Sequence, residues 1–350
     1  MNVSLNESSL YGRGEIRVSH KVVKTLAYSF LFVLSILGNS FIVWAISKDS
    51  RLRTNTNFLV TNIAISDILF ALVNFPQSIV AIIFDRRWML DGIGGLIPCK
   101  LIPFISDVSS AVSLYSCVFI AIDRYYAVAY PLRGGFSRSR MKYIVPGIWI
   151  ASSVVISPYL YYFKLIHGIS VVRCIWEPPY TYLMSVIGYS FGITAPVITI
   201  MYVMIVYKLW THTIPGERTE SFKRREKQNR NVFKLSVAIV MPLYMTELAL
   251  VIAVFLKMFG NLASLSSGDV EDLMFAVVYL KHTSVAYNFF VYLRFNEVYR
   301  ENFRKLMSRC FCSCFHFKAA LPRTHYSFDM NSFDHPTPSV QTLNFLDLSH

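Results

Sequence analysis

Charge is scarce in this chain. Asp, Glu, Lys and Arg make up 16% of its 350 residues, where soluble domains carry about 25%. Internal repeats are missing too, and with them the paired halves around a midplane site that a transporter is built from. That leaves a transporter only as a remote alternative. No selectivity segment marks a channel. No second aspartate stands in a motif suited to an intramembrane protease, and the histidines are scattered, so no enzyme and no organic cofactor is expected. A separate cleavable signal peptide is not visible either. The first apolar block is long enough to serve as a retained signal anchor.

What is present is apolar residues, 54% of the chain, gathered in long blocks. Seven blocks lie at about 22–47, 57–84, 97–123, 143–163, 181–209, 232–258 and 269–293. Each approaches or exceeds the ~20 residues that a spanning helix needs. A soluble core explains one or two such blocks; seven point to the membrane. The expected fold is an all-α membrane protein, a seven-transmembrane helix bundle with a C-terminal amphipathic surface helix.

The net charge of +13 raises the question of nucleic acid, and its distribution answers against it. Lys48, Arg51 and Arg53 follow the first block. Arg133, Arg138, Arg140 and Lys142 separate the third and fourth, and Lys223, Arg224, Arg225, Lys227 and Arg230 the fifth and sixth. Arg300, Arg304, Lys305 and Arg309 follow the seventh. These loops share one side, which the positive-inside rule makes cytoplasmic. The expectation is a multi-pass plasma-membrane protein with its N-terminus extracellular. Asn2-Val3-Ser4 and Asn6-Glu7-Ser8 are glycosylation sequons on that tail. Cys99 and Cys174 both fall on the outer side, where an oxidising compartment lets them pair; two free thiols are the alternative. Cys310, Cys312 and Cys314 follow the last block on the inner side, where lipidation competes with plain thiols.

Four segments are expected: an outer tail over 1–20, the membrane domain over 21–294, an amphipathic cytoplasmic helix over 295–309 and a disordered tail over 310–350. Phe295, Tyr299, Phe303 and Leu306 share one helical face, which suits contact with membrane lipids. Ser327, Ser332, Thr337, Ser339 and Thr342 dot a polar tail open to kinases.

Asp123-Arg124-Tyr125 closes the third apolar block and is followed by Ala127-Val128-Ala129-Tyr130-Pro131-Leu132. A charged pair there marks a membrane boundary, because charge within hydrocarbon is costly. The stretch resembles the end of the third helix in rhodopsin-like G-protein-coupled receptors. Gly38-Asn39, Asn62-Ile63-Ala64-Ile65-Ser66-Asp67, Trp88 with Gly92, Trp149 with Pro158, and Asn288-Phe289-Phe290-Val291-Tyr292 resemble that family's signatures in the same order. The resemblance covers most of residues 20–310.

It implies a receptor that signals to a heterotrimeric G protein through Asp123, Arg124, Tyr125 and Leu132, with arrestin and kinases acting at the tail. It also implies an activation network of Asn39, Asp67, Ser113, Asn288 and Tyr292. Asp67 is an ionisable residue deep in an apolar span, and its cluster suits either a sodium ion or a purely hydrogen-bonded network.

The sixth helix departs from the family. Thr246-Glu247-Leu248-Ala249 stands where the family carries Cys-Trp-x-Pro, and Pro242 lies closer to the cytoplasm. Glu247 is expected near Asp67, where two acids would repel and make signalling sensitive to pH; a glutamate bonded to a partner is the alternative. Phe289 replaces the family proline of the seventh helix.

For the ligand pocket, Ser106 sits where amine receptors carry aspartate, with Asp107 one step on, about 100° round the helix. His282 sits where visual pigments carry the retinal lysine, with Lys281 one step before it. An ion pair between Asp107 and Lys281 is the structural reading. Trp176 adds an aromatic group to an outer surface suited to a peptide. Arg53-Thr54-Asn55-Thr56-Asn57 and Tyr125-Tyr126-Ala127-Val128 resemble neuropeptide receptors, so a peptide ligand is expected. An amine or lipid receptor and a divergent opsin are the alternatives.

Overall fold

The computed structural model describes residues 7–130, 136–168, 171–179, 181–182, 194–211, 220–259 and 267–319. Asn2, Asn6 and Leu132, named above, lie outside the described residues. So does the tail from 320 on.

The membrane helices are α1 (Glu7–Lys48), α2 (Asn55–Ile83), α3 (Gly92–Ala129), α4 (Arg138–Ile156), α5 (Ala195–Thr211), α6 (Glu220–Phe259) and α7 (Ser267–Phe295), and α8 (Glu297–Ala319) follows. Among the described residues, five helices are apolar and long enough to cross a membrane: Val18–Lys48, Asn55–Ile83, Gly92–Ala129, Ser139–Tyr162 and Phe233–Leu256. α5 is a shorter apolar helix over its described length. α7 is 29 residues long, but Lys281-His282-Thr283-Ser284 interrupts its apolar character.

α1 shows how the sequence produces the bundle. Tyr28, Leu31, Ser35, Asn39 and Ile42 recur at helical spacing and are buried; Leu26, Phe30, Val33 and Leu37 recur on the other face and are exposed. An apolar stripe turned outward is the reverse of a soluble helix and fits hydrocarbon. Tyr28 and Leu31 pack with Phe70, Ala71 and Phe75 of α2 and Val285 and Ala286 of α7 in one core cluster. α3 is the central post, packing on α2, α4, α5 and α6.

Three features differ from the sequence expectation. α1 begins at Glu7, within the segment read as a polar tail, because the helix continues beyond its apolar part. A small antiparallel hairpin stands among the described helices: β1 (Phe163–His167) pairs with β2 (Val172–Trp176), Leu165 facing Cys174. Its β-branched and aromatic residues suit a strand, and Cys174 is disulfide-bonded to Cys99 of α3. The Trp88 amide donates to Val172 O at 2.8 Å, and the Trp88 indole donates to Gly95 O at 3.0 Å. Gly95 is required there, since a Cβ would stand 2.2 Å from Leu90 O. Finally, α8 continues to Ala319, so the backbone at Cys310, Cys312 and Cys314 is helical rather than beyond the helix.

The chain divides into two compact units, Met1–Phe303 and Arg304–His350. The sites below belong to the first.

Candidate functional site

At one end of α3, Asp123 is fully buried. Its carboxylate accepts from Thr56 Oγ1 of α2 at 2.9 Å and from the Phe136 amide at 2.9 Å. It also accepts from the Arg124 guanidinium. Burial of a carboxylate is tolerated when each oxygen is hydrogen-bonded and a cation stands beside it. Asp123 therefore anchors α2, α3 and the segment entering α4, and keeps Arg124 folded against the bundle. Arg124 Nε is buried with no hydrogen-bond partner among the described residues. Tyr125 packs edge-on against Tyr126.

Deeper in the bundle, a polar chain crosses four helices. Trp149 of α4 donates to Asn62 Oδ1 at 2.9 Å, and Asn62 donates to Ser116 of α3 at 3.0 Å. One layer further along, Ser66 and Ser113 hydroxyls lie 2.8 Å apart. Ser113 donates to Asp67 Oδ1 at 3.1 Å and Asn288 of α7 donates to Asp67 Oδ2 at 2.9 Å. Asp67, Ser113 and Asn288 thus meet as the family resemblance implied. Asn39 does not bond to Asp67. Its amide donates to Ser35 O and Val285 O, tying α1 to α7. Tyr292 is buried and stacks on Tyr299 at 5.0 Å, and its hydroxyl has no hydrogen-bond partner among the described residues.

A small cavity adjoins Asp67, between α2, α3, α6 and α7. Glu247, Lys281, His282, Ser110 and Ser113 line it together with Asp67. Lys281 Nζ lies 3.0 Å from Glu247 Oε1. Of the two readings of Glu247, this is the glutamate bonded to a partner: it and Asp67 line the same cavity, and a lysine from α7 stands against Glu247. The expected pairing of Lys281 with Asp107 is altered. Asp107 lies within electrostatic reach of Lys281, while its carboxylate accepts a hydrogen bond from the Tyr159 hydroxyl.

The remaining pocket candidates separate. Ser106 is buried and its hydroxyl donates to Ile102 O on its own helix at 2.9 Å, so it does not line the cavity. His282 does line it, with Nδ1 3.1 Å from the Tyr28 hydroxyl and its ring among Phe70 and Phe75. Trp176 lies on β2, stacked with Phe163 and close to Tyr159, outside the cavity wall.

Sequence reading missed Tyr159 and Tyr287. Pro242 has no amide hydrogen, so Ala238 O loses its helical partner. The Tyr287 hydroxyl donates to that carbonyl at 2.7 Å. The proline signalled a freed carbonyl, but nothing in the sequence signalled the side chain that reaches it. α7 itself runs unbroken through Phe289, where the family proline is absent.

Residues 38–292 match the family described as 7 transmembrane receptor (rhodopsin family). The chain is 24% identical over 307 residues to the RYamide receptor of Drosophila melanogaster, covering 83% of this chain and 64% of that protein. It is 26% identical over 303 residues to the Substance-P receptor of Homo sapiens, covering 83% and 72%. It is 25% identical over 304 residues to the RYamide receptor of Tribolium castaneum, covering 81% and 80%. Against the Drosophila melanogaster protein the match falls just short of two thirds of that relative's length. The ordered α3 end at Asp123-Arg124, the α2–α3–α7 polar layer and the family match over most of the chain agree: this chain belongs to the rhodopsin family of seven-transmembrane receptors, multi-pass proteins of the plasma membrane.

Proposed function

We propose that this receptor binds an extracellular peptide and passes the signal to a heterotrimeric G protein at Arg124. The observation that carries the reading is Arg124, held to the bundle end by the neighbouring Asp123, with its Nε unpartnered among the described residues. Such a guanidinium can exchange an internal carboxylate for a partner's carbonyls or C-terminus once the helix ends part. The cavity with Glu247 and Lys281 lies on the other side of the Asp67 layer, so ligand and G protein occupy opposite ends. The peptide class is supported by relatives that are RYamide and Substance-P receptors. In the proposed orientation the hairpin end faces outward, where a disulfide persists, and the basic loops face the cytoplasm.

Asp67 fits a sodium ion in the resting state: its carboxylate accepts from the Ser113 hydroxyl, which in turn lies 2.8 Å from the Ser66 hydroxyl, and hard cations take oxygen ligands. A bound cation would offset the buried charge there, while Asn288 orients the carboxylate by its amide.

The test is nucleotide exchange on purified G proteins by the full-length receptor in nanodiscs, challenged with RYamide and tachykinin-type peptides. Stimulated exchange that Arg124→Ala abolishes supports the proposal. Surface-competent receptor that leaves exchange at baseline with every peptide and G protein sinks it.

A further inference from the structure

α7 ties α6 at two points, one on each side of a joint. Pro242 is the proline inside α6, and its missing amide hydrogen weakens the helix there. Four residues before it, Ala238 O accepts from the Tyr287 hydroxyl at 2.7 Å. Five residues beyond it, Glu247 Oε1 lies 3.0 Å from Lys281 Nζ, with both side chains mostly buried. The two tie points stand about 14 Å apart along α6, at a rise of ~1.5 Å per residue. α7 is the stiffer member: it runs unbroken from Ser267 to Phe295 and contains no proline. Asp67, the other carboxylate that lines the cavity with this pair, is already held by Ser113 and Asn288.

We propose that Glu247 and Lys281 are the positioning pair of the signalling movement, an ion-pair latch that fixes the direction of α6 against α7 and opens when the receptor signals. The inference rests on the G-protein reading above and names the contact through which the cavity controls α6. Burial of apolar surface is non-directional, so packing alone leaves α6 free to tilt along α7. Two polar ties to a stiff neighbour fix its direction. With the Glu247–Lys281 tie open, the Tyr287–Ala238 contact is a single pivot beside the proline joint. The outer half of α6 then moves one way and the cytoplasmic half the other, away from α3, on which α6 packs. That movement opens the bundle beside Arg124. The latch contributes direction rather than stability, because the attraction within a buried ion pair does little more than offset its desolvation. The family's tryptophan and proline are missing at this level of α6. Glu247 stands there instead, and Lys281 gives it a partner on α7.

The experiment measures the distance between spin labels at Arg140 of α4 and Lys234 of α6, both exposed, by double electron–electron resonance. The full-length receptor is held in nanodiscs without G protein, and non-canonical amino acids carry the labels. Unfolding midpoints and basal nucleotide exchange are measured on the same variants. The expected wild-type result is one dominant distance. Glu247→Gln and Lys281→Met each add a second, longer distance and raise basal exchange several-fold, while Lys281→Arg, which keeps the charge, stays with the wild type. Glu247→Leu combined with Lys281→Met leaves neither charge of the pair without its partner and recovers the unfolding midpoint lost in either single variant, yet keeps the longer distance. A merely structural salt bridge would return distance and midpoint together. Wild-type distances in the single variants, or a double variant whose distance recovers with its midpoint, overturns the proposal. The two readings fail separately. A longer distance with no exchange on any G protein counts against the signalling proposal alone. Peptide-stimulated exchange together with unchanged distances in the variants counts against the latch alone.

Discussion

A Cβ placed on Gly38 would stand 2.8 Å from the Cβ of Phe289. The two residues set how closely α1 and α7 approach. Phe289 occupies the position where the family carries proline, and its ring packs edge-on against Phe41 and close to Phe303. The close approach of the two helix backbones thus leaves room only for glycine opposite Phe289. Gly38→Ala is expected to destabilise the receptor by about 1–3 kcal/mol, the usual range for overpacking. Thermal unfolding in detergent should show a lowered midpoint, and Phe289→Gly in the same chain, which removes the opposing Cβ, should relieve the clash, leaving a non-additive pair. Additive losses would refute the close approach.

The Tyr287 hydroxyl compensates for Pro242. Tyr287→Phe leaves Ala238 O without its donor, which is expected to lower stability by about 1–3 kcal/mol. The same change is expected to be nearly silent in a Pro242→Ala background, because the alanine supplies the missing amide within the helix. A double-mutant cycle on unfolding midpoints checks this.

Asp123→Asn keeps the shape of the buried hub but removes the charge that holds Arg124. Basal nucleotide exchange is expected to rise several-fold as Arg124 is released. Thr56→Val, which deletes another bond to the same carboxylate, is expected to raise it less. Unchanged basal exchange in Asp123→Asn would show that Arg124 is held by something else.

Asp49 sits in the turn after α1, where the Arg51 guanidinium and then the Asn302 amide at 2.9 Å hold its carboxyl well below the usual carboxylate range. A depressed folded-state value means that the stabilisation is present above the unfolded value of about 3.9, and is lost as pH falls through the folded value. Carboxyl-carbon NMR should therefore find Asp49 ionised through the ordinary acidic range, and Asn302→Ala should move its midpoint upward. Because the pair lies at the surface, the effect on global unfolding is expected to be small.

The bundle was legible because its signals are local and repeated. Apolar blocks of spanning length, basic residues in alternate loops and motifs in family order each follow from the chain's own spacing. The Asp67–Ser113–Asn288 meeting was legible only through the family resemblance, which implied that these residues point into one interior. The hairpin at 163–176 was not, since one short loop carries too little pattern to separate strand from coil.

By itself the sequence determined the membrane helices and their span, because helical rise and hydrocarbon thickness are fixed lengths; which residues share a layer came from the family resemblance. Rotation between helices was decided only in the tertiary structure. Ser106 turns its hydroxyl to its own backbone while Asp107, one step round α3, finds Tyr159. Lys281 meets Glu247 rather than bonding Asp107, and Asn39 reaches the α7 backbone rather than Asp67. Those choices depend on how neighbouring helices pack, down to a glycine against a phenylalanine, and packing between distant segments has no period along the chain from which to read it.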